Sequence, residues 1–253
     1  MYLPVSKICC AAVGVCLFAL NAKAETMMPL KPGYFIDGAI GASVGSVSDF
    51  SFSNPIGAAT TTSAVSGDKI ILDNTDETDG ALGAEAAIGY RYNKNTFVRF
   101  AYSYFDQMEF EGFATFGGNA FQQLMQVDAH ALMVELGYDH PLGNRFFLEG
   151  AVGAGLAFVS TDARQGLNLA GNYNIFPGNT RTNPAFKVNL GLGYQLSENW
   201  GLMLGGDYTY LGRASSGRTG ATEVAASTGV NLSEELSGDV SVWRAKVGLR
   251  YNF

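Results

Sequence analysis

Beyond residue 24 the chain has no cysteine: Cys9, Cys10 and Cys16 all fall in the first 24 residues. Without that leading segment there is no disulfide, no thiol nucleophile and no cysteine metal site. Charge is scarce, at 15% Asp, Glu, Lys and Arg, too sparse for the paired charges that lace exposed helices. No later run reaches about 18 consecutive apolar residues, which excludes a transmembrane helix. Basic residues are the minority. Setting aside Lys7 and Lys23 leaves 14 against 23 acidic residues, a formal −9. A polyanion such as nucleic acid is therefore not an expected partner.

What is present begins with an export signal. Lys7 supplies the positive start, and residues 8–20 form an apolar run too short to span a bilayer. Ala22-Lys23-Ala24 matches the small-x-small pattern of a cleavage site. Cleavage after Ala24 is expected, leaving Glu25 first and one domain over residues 25–253. A lipoprotein signal is the competing reading, because Cys16 follows an apolar stretch. Val15 stands before it, where Gly, Ala or Ser is usual.

The 32 glycines and 12% aromatics go with a strand pattern. Alternation of period two runs over residues 33–44, 81–92, 96–106 and 127–139. It returns over 146–160, 185–195, 200–211 and 239–253. Strands of about 10 residues tilted near 45° suit a bilayer. Three connections are short (93–95, 140–145, 196–199). Four are long and polar (45–80, 107–126, 161–184, 212–238). That segregation predicts an all-β fold, an eight-stranded antiparallel transmembrane β-barrel with short periplasmic turns and long extracellular loops. A soluble sandwich has no reason to sort its loops this way. The apolar faces carry large aromatics at both strand ends, such as Tyr34, Tyr138 and Trp200 at one and Tyr104, Tyr208 and Trp243 at the other. Two girdles at the headgroup layers are expected.

The opposite faces point into the barrel. They carry the acids Asp37, Glu85, Glu135, Glu149 and Asp207 and the bases Arg91, Arg99, Lys187, Arg244, Lys246 and Arg250. An eight-stranded barrel is just wide enough for side chains to fill, and buried charges persist when paired. A salt-bridge network across the lumen is the expected arrangement; a narrow water-filled conduit is the alternative.

The signal segment, the eight alternating strands and the ending Val247-Gly-Leu-Arg-Tyr-Asn-Phe253 together resemble the small outer-membrane β-barrel superfamily. That group includes the outer membrane protein A transmembrane domain, the opacity proteins and porin-like surface antigens. The resemblance covers residues 33–253. Phe253, with Tyr251 and Leu249 at alternate positions before it, looks like the signal such proteins present to the barrel assembly machinery. Gly89-Tyr90, Gly137-Tyr138 and Gly193-Tyr194 also fit. The resemblance implies a monomer in the Gram-negative outer membrane, in contact with lipids and lipopolysaccharide, and with host surface ligands in some members. Adhesion or display through the loops is the leading role. A passive channel for ions or small hydrophobic solutes is the rival, and a lipid-modifying enzyme the remote one. Because the chain stops at Phe253, no cell-wall-binding domain is expected to follow.

Candidate sites are few. His130 and His140 are the only histidines, and neither adjoins a Ser as barrel hydrolysis would require. No catalytic residue, cofactor or metal site is assigned. The acidic run Asp73 to Asp79 offers hard oxygen ligands, but solvated charge explains it better. Phe110, Phe113, Phe116 and Phe121 crowd one long loop. They are expected to pack over the barrel mouth or, as interaction candidates, to meet a host protein or lipid.

Overall fold

The computed structural model describes residues 30–53, 69–71, 73–76, 78–116, 119–143, 145–167, 173–217, 219–220 and 233–253. Eight long strands form the wall: β1 (Gly33–Ser53), β4 (Thr78–Arg91), β5 (Thr96–Phe116), β6 (Asn119–Pro141), β7 (Phe146–Leu167), β8 (Tyr173–Gln195), β9 (Trp200–Ser215) and β11 (Ser233–Asn252). Three short strands lie beyond them: β2 (Lys69–Ile71) pairs with β1, β3 (Asp73–Asp76) with β5, and β10 (Thr219–Gly220) with β11. Each long strand is antiparallel to the next, and β1 closes on β11 from Phe35↔Asn252 to Ser53↔Glu235. The ring has no free edge at membrane depth, so every backbone group there has a partner, as a bilayer demands. Among the described residues there is no helix.

The periplasmic turns are made by side chains suited to the task. Asn93 Oδ1 accepts from the backbone N–H of Asn95 (2.9 Å) and Thr96 (2.8 Å), and Ser197 Oγ accepts from Trp200 N–H (3.1 Å). Such bonds substitute for the ladder where the chain reverses.

The strands run much further than the alternation suggested. β5 spans 21 residues and β6 spans 23, so most of the expected loop 107–126 is hairpin. The expected loop 161–184 is largely β7 and β8, and residues 45–53 extend β1. At the far end of the expected loop 212–238, residues 233–238 are strand and 221–232 lie outside the described residues.

The extra length has a physical reason. Near the periplasmic end the outward side chains are apolar and exposed, Ile40 at 68% for example, while the inward ones are charged. Higher up the faces trade character within each strand. Outward Val44 gives way to Ser46, Tyr104 to Asp106, His130 to Asp128 and Phe158 to Ser160. Inward residues at that height are Val47, Phe105, Met108, Met125, Val127, Val159 and Leu211, all buried. The eleven-residue stretch 34–44, tilted, covers about 25 Å, the height of an outer-membrane belt. Above it the wall is a water-facing barrel with an apolar core. Its alternation is inverted, so apolar outward faces mark only the lower part of each strand.

Rings mark both edges of the belt. Tyr34–Tyr90, Phe146–Tyr194 and Trp200–Tyr251 meet below, at 5.0, 4.8 and 4.9 Å between centroids. Tyr104–His130 and Tyr208–Trp243 meet above, at 5.0 and 4.8 Å.

Candidate functional site

Inside the belt the lumen of an eight-stranded barrel is just wide enough for side chains to fill. Charge fills most of that space above a floor of aromatic rings. Arg99 donates to Glu135 (2.8 Å), Glu149 (2.9 Å) and Asp37 (3.1 Å). Arg250 holds Asp37 and Glu149, each at 2.6 Å. Lys187 bridges Glu85 and Glu135. Lys246 reaches Glu85 (2.9 Å) and Asp207 (3.0 Å), and Arg244 joins the same two carboxylates. Arg91 pairs with Asp139 at 2.8 Å, and Arg250 approaches that carboxylate at 3.7 Å. Asn189 donates to Glu149 at 3.0 Å.

The contacts join all eleven charges assigned inward from the sequence into one network. Asp139 completes it, giving six acids and six bases. Asp139 was missed although it shares the face of Glu135, four residues earlier; its place beside the turn disguised it. Between these groups lies a cavity of about 30 Å³, bordered by Asp37, Arg99, Glu149 and Lys246. That is room for about one water.

Aromatic rings floor the network at the periplasmic end. Phe35, Phe97 and Phe147 face inward and are directly paired with Gly89, Gly137 and Gly193. Each ring lies across its glycine: an added Cβ would sit 2.2, 2.1 and 2.1 Å from the ring tip. The repeated Gly-Tyr dipeptides thus have two jobs, a socket inward and a girdle ring outward. Arg250 stands over Phe35 and Phe97 at 4.5 and 5.3 Å, and Arg91 over Phe35 at 5.2 Å, in cation–π range.

The remaining sequence candidates are placed as follows. Phe253 is 69% exposed beside Tyr251, and Leu249 faces outward in the belt. Phe110 is fully buried in the extracellular core. β5 continues past the belt with its apolar face inward, which is what buries it. Phe113, Phe116 and Phe121 lie on β5 and β6, with side chains outside the described residues. His130 faces outward and its Nδ1 meets Tyr102 Oη at 2.7 Å. His140 is exposed beside the turn. In the acidic run, Asp79 is structural, accepting from the N–H of Gly80 and of Glu109, both at 2.7 Å. Among the described residues no three His, Cys, Asp or Glu side chains are grouped to hold a metal. Above the girdle, burial and the nearby carboxylates of Asp106 and Asp162 push the Asp128 carboxyl up.

The sequence description of the outer membrane protein β-barrel domain matches residues 11–253. No curated protein matches the chain. Among solved structures it is similar to the outer membrane protein OprG from Pseudomonas aeruginosa, 18% identical over 90% of this chain and 100% of that one, TM-score 0.47. It is similar to Neisserial surface protein A, 14% identical over 87% and 97%, TM-score 0.41. Another similar structure is Ail, the attachment invasion locus protein of Yersinia pestis, in complex with the heparin analogue sucrose octasulfate. It is 13% identical over 87% and 99%, TM-score 0.38.

Proposed function

We infer a role from membership: the chain belongs to the outer membrane protein β-barrel domain family, and it resides in the outer membrane of a Gram-negative bacterium. Within that family it acts at the cell surface, as a structural and adhesive or antigenic protein working through its extracellular part, with no catalysis. The filled lumen carries this reading. Six acids and six bases occupy the ring at membrane depth, paired with one another, and the cavity among them has room for about one water. Function is thereby left to what stands outside. Exposed Phe253, with Tyr251 and Leu249, supports delivery by the barrel assembly machinery. The outward polar residues above the girdle support contact with lipopolysaccharide.

Cells displaying the protein are compared with cells displaying a variant shortened at 54–68 and 221–232, for adherence to host cells at equal surface amounts. The surface role predicts that shortening removes adherence and leaves solute uptake unchanged. Lost uptake with unchanged adherence would favour the channel.

A further inference from the structure

Above the belt the wall is not one continuous sheet. The β4–β5 ladder rises from Arg91↔Phe97 and stops at Gly83↔Phe105. The β8–β9 ladder rises from Gln195↔Gly201 and stops at Phe186↔Tyr210. Counted around the ring, these two seams are opposite each other. The other interfaces continue upward: β5–β6 to Phe116↔Asn119, β7–β8 to Gly166↔Tyr173 and β9–β11 to Ser215↔Ser237. The extracellular part is therefore two halves, β5 to β8 on one side and β9, β11, β1 and β4 on the other, open at β8–β9 and rejoined above the β4–β5 gap where β3 pairs with β5.

At the β8–β9 seam, side chains replace the ladder. Asn183 Nδ2 donates to the carbonyls of Leu211 (3.0 Å) and Arg213 (2.9 Å). Asn179 Nδ2 donates to the carbonyl of Ser215 (3.1 Å), and Arg181 reaches Glu235 on β11 (2.8 Å). One backbone bond, Gly217 N–H to Pro177 O at 2.7 Å, closes the top. Gly212 allows the approach: its φ is +78°, and an added Cβ would lie 2.6 Å from Asn183 Cβ. The opposite seam is held covalently as well. There β3 pairs with β5 and precedes β4 by one residue in the chain, and Asp79 accepts from Glu109 N–H. Between the halves lies the apolar core, with Met108 and Val159 from one and Val47 and Leu211 from the other.

A wall held by a few side-chain bonds opens more readily than one held by a backbone ladder. We propose that the extracellular part is a clasp of two halves that opens along β8–β9 and turns about the strapped β4–β5 side. Asn179, Arg181 and Asn183 form its latch, and the membrane part stays a closed ring. This device goes beyond the surface role and does not depend on it.

Single cysteines at Leu211, Val159 and Ala101, all fully buried, are treated with a water-soluble maleimide in outer-membrane preparations, and modification is read by peptide mass. Cys at 211 and 159, between the halves, should be modified, and Cys at 101, inside the continuous ring, should stay protected. Asn183→Ala should speed the first two about tenfold, as hydrogen bonds are lost, and leave the third unchanged. Equal protection at all three sites overturns the clasp, as does equal acceleration at all three. Unchanged rates in Asn183→Ala overturn the latch. Should a cysteine variant fail to fold, amide exchange of the unsubstituted protein decides. Segments 178–185 and 211–215 should exchange at least about tenfold faster than 186–195 and 201–210; equal protection contradicts the proposal.

Discussion

Gly137 sits opposite Phe97 with no space for even a methyl group, and Glu149 sits between Arg99 and Arg250. Both are inward positions of ordinary strands, yet each fails differently. Gly137→Ala overpacks the floor and should cost about 1–3 kcal/mol, read as a lowered unfolding temperature of the refolded barrel. The same change at Gly150, where an added Cβ meets nothing within 4 Å, should cost little. Glu149→Gln keeps the shape and removes the charge, leaving two buried guanidiniums short of a partner. Breaking a buried pair costs about 3–5 kcal/mol, so the unfolding temperature should fall while the protein still reaches the surface. Unchanged stability would mean the ion pairs are not what holds the lumen. At this scale the sequence was informative about which face a residue takes, because the side-chain period of a strand leaves two choices. It was uninformative about partners: nothing near Arg99 in sequence names Glu149, 50 residues away. The Phe–Gly sockets were equally hidden, since each joins residues on different strands.

At the scale of the strand, the exchange of apolar and polar faces is the feature that fixes where the bilayer ends. The number of ring strands and the three short turns were legible from alternation alone. Strand length was not, because above the belt the hydrophobic effect acts in the opposite sense: water lies outside, so apolar residues turn inward. A rule tuned to lipid-facing residues reads that inversion as loop. It also explains Phe110, legible as an apolar residue in a polar stretch and buried in the extracellular core. The inversion makes a depth-dependent prediction on a single strand. Val134→Arg, in the middle of the β6 belt, should destabilise by about 2–4 kcal/mol, and Gln126→Arg, on the same face above it, by about 0–1 kcal/mol. Reversible unfolding in lipid vesicles reads the difference. Equal costs would place the belt elsewhere.

For the whole molecule, charge sorts by compartment. The lumen cancels itself at six against six, and among the described residues further acids stand outside it. Several of those acids, Asp106, Glu109, Asp128 and Asp162, stand directly above the aromatic girdle on β5, β6 and β7. A ring that is apolar outside, self-neutralised inside and floored by phenylalanine supports the proposal that the barrel is closed. That is the central claim, and the current carried by the purified, refolded protein across a planar lipid bilayer tests it most directly. A closed barrel should give no discrete conductance steps. Reproducible, ion-selective steps that change when Arg99 or Glu149 is neutralised would contradict it and make the protein a channel.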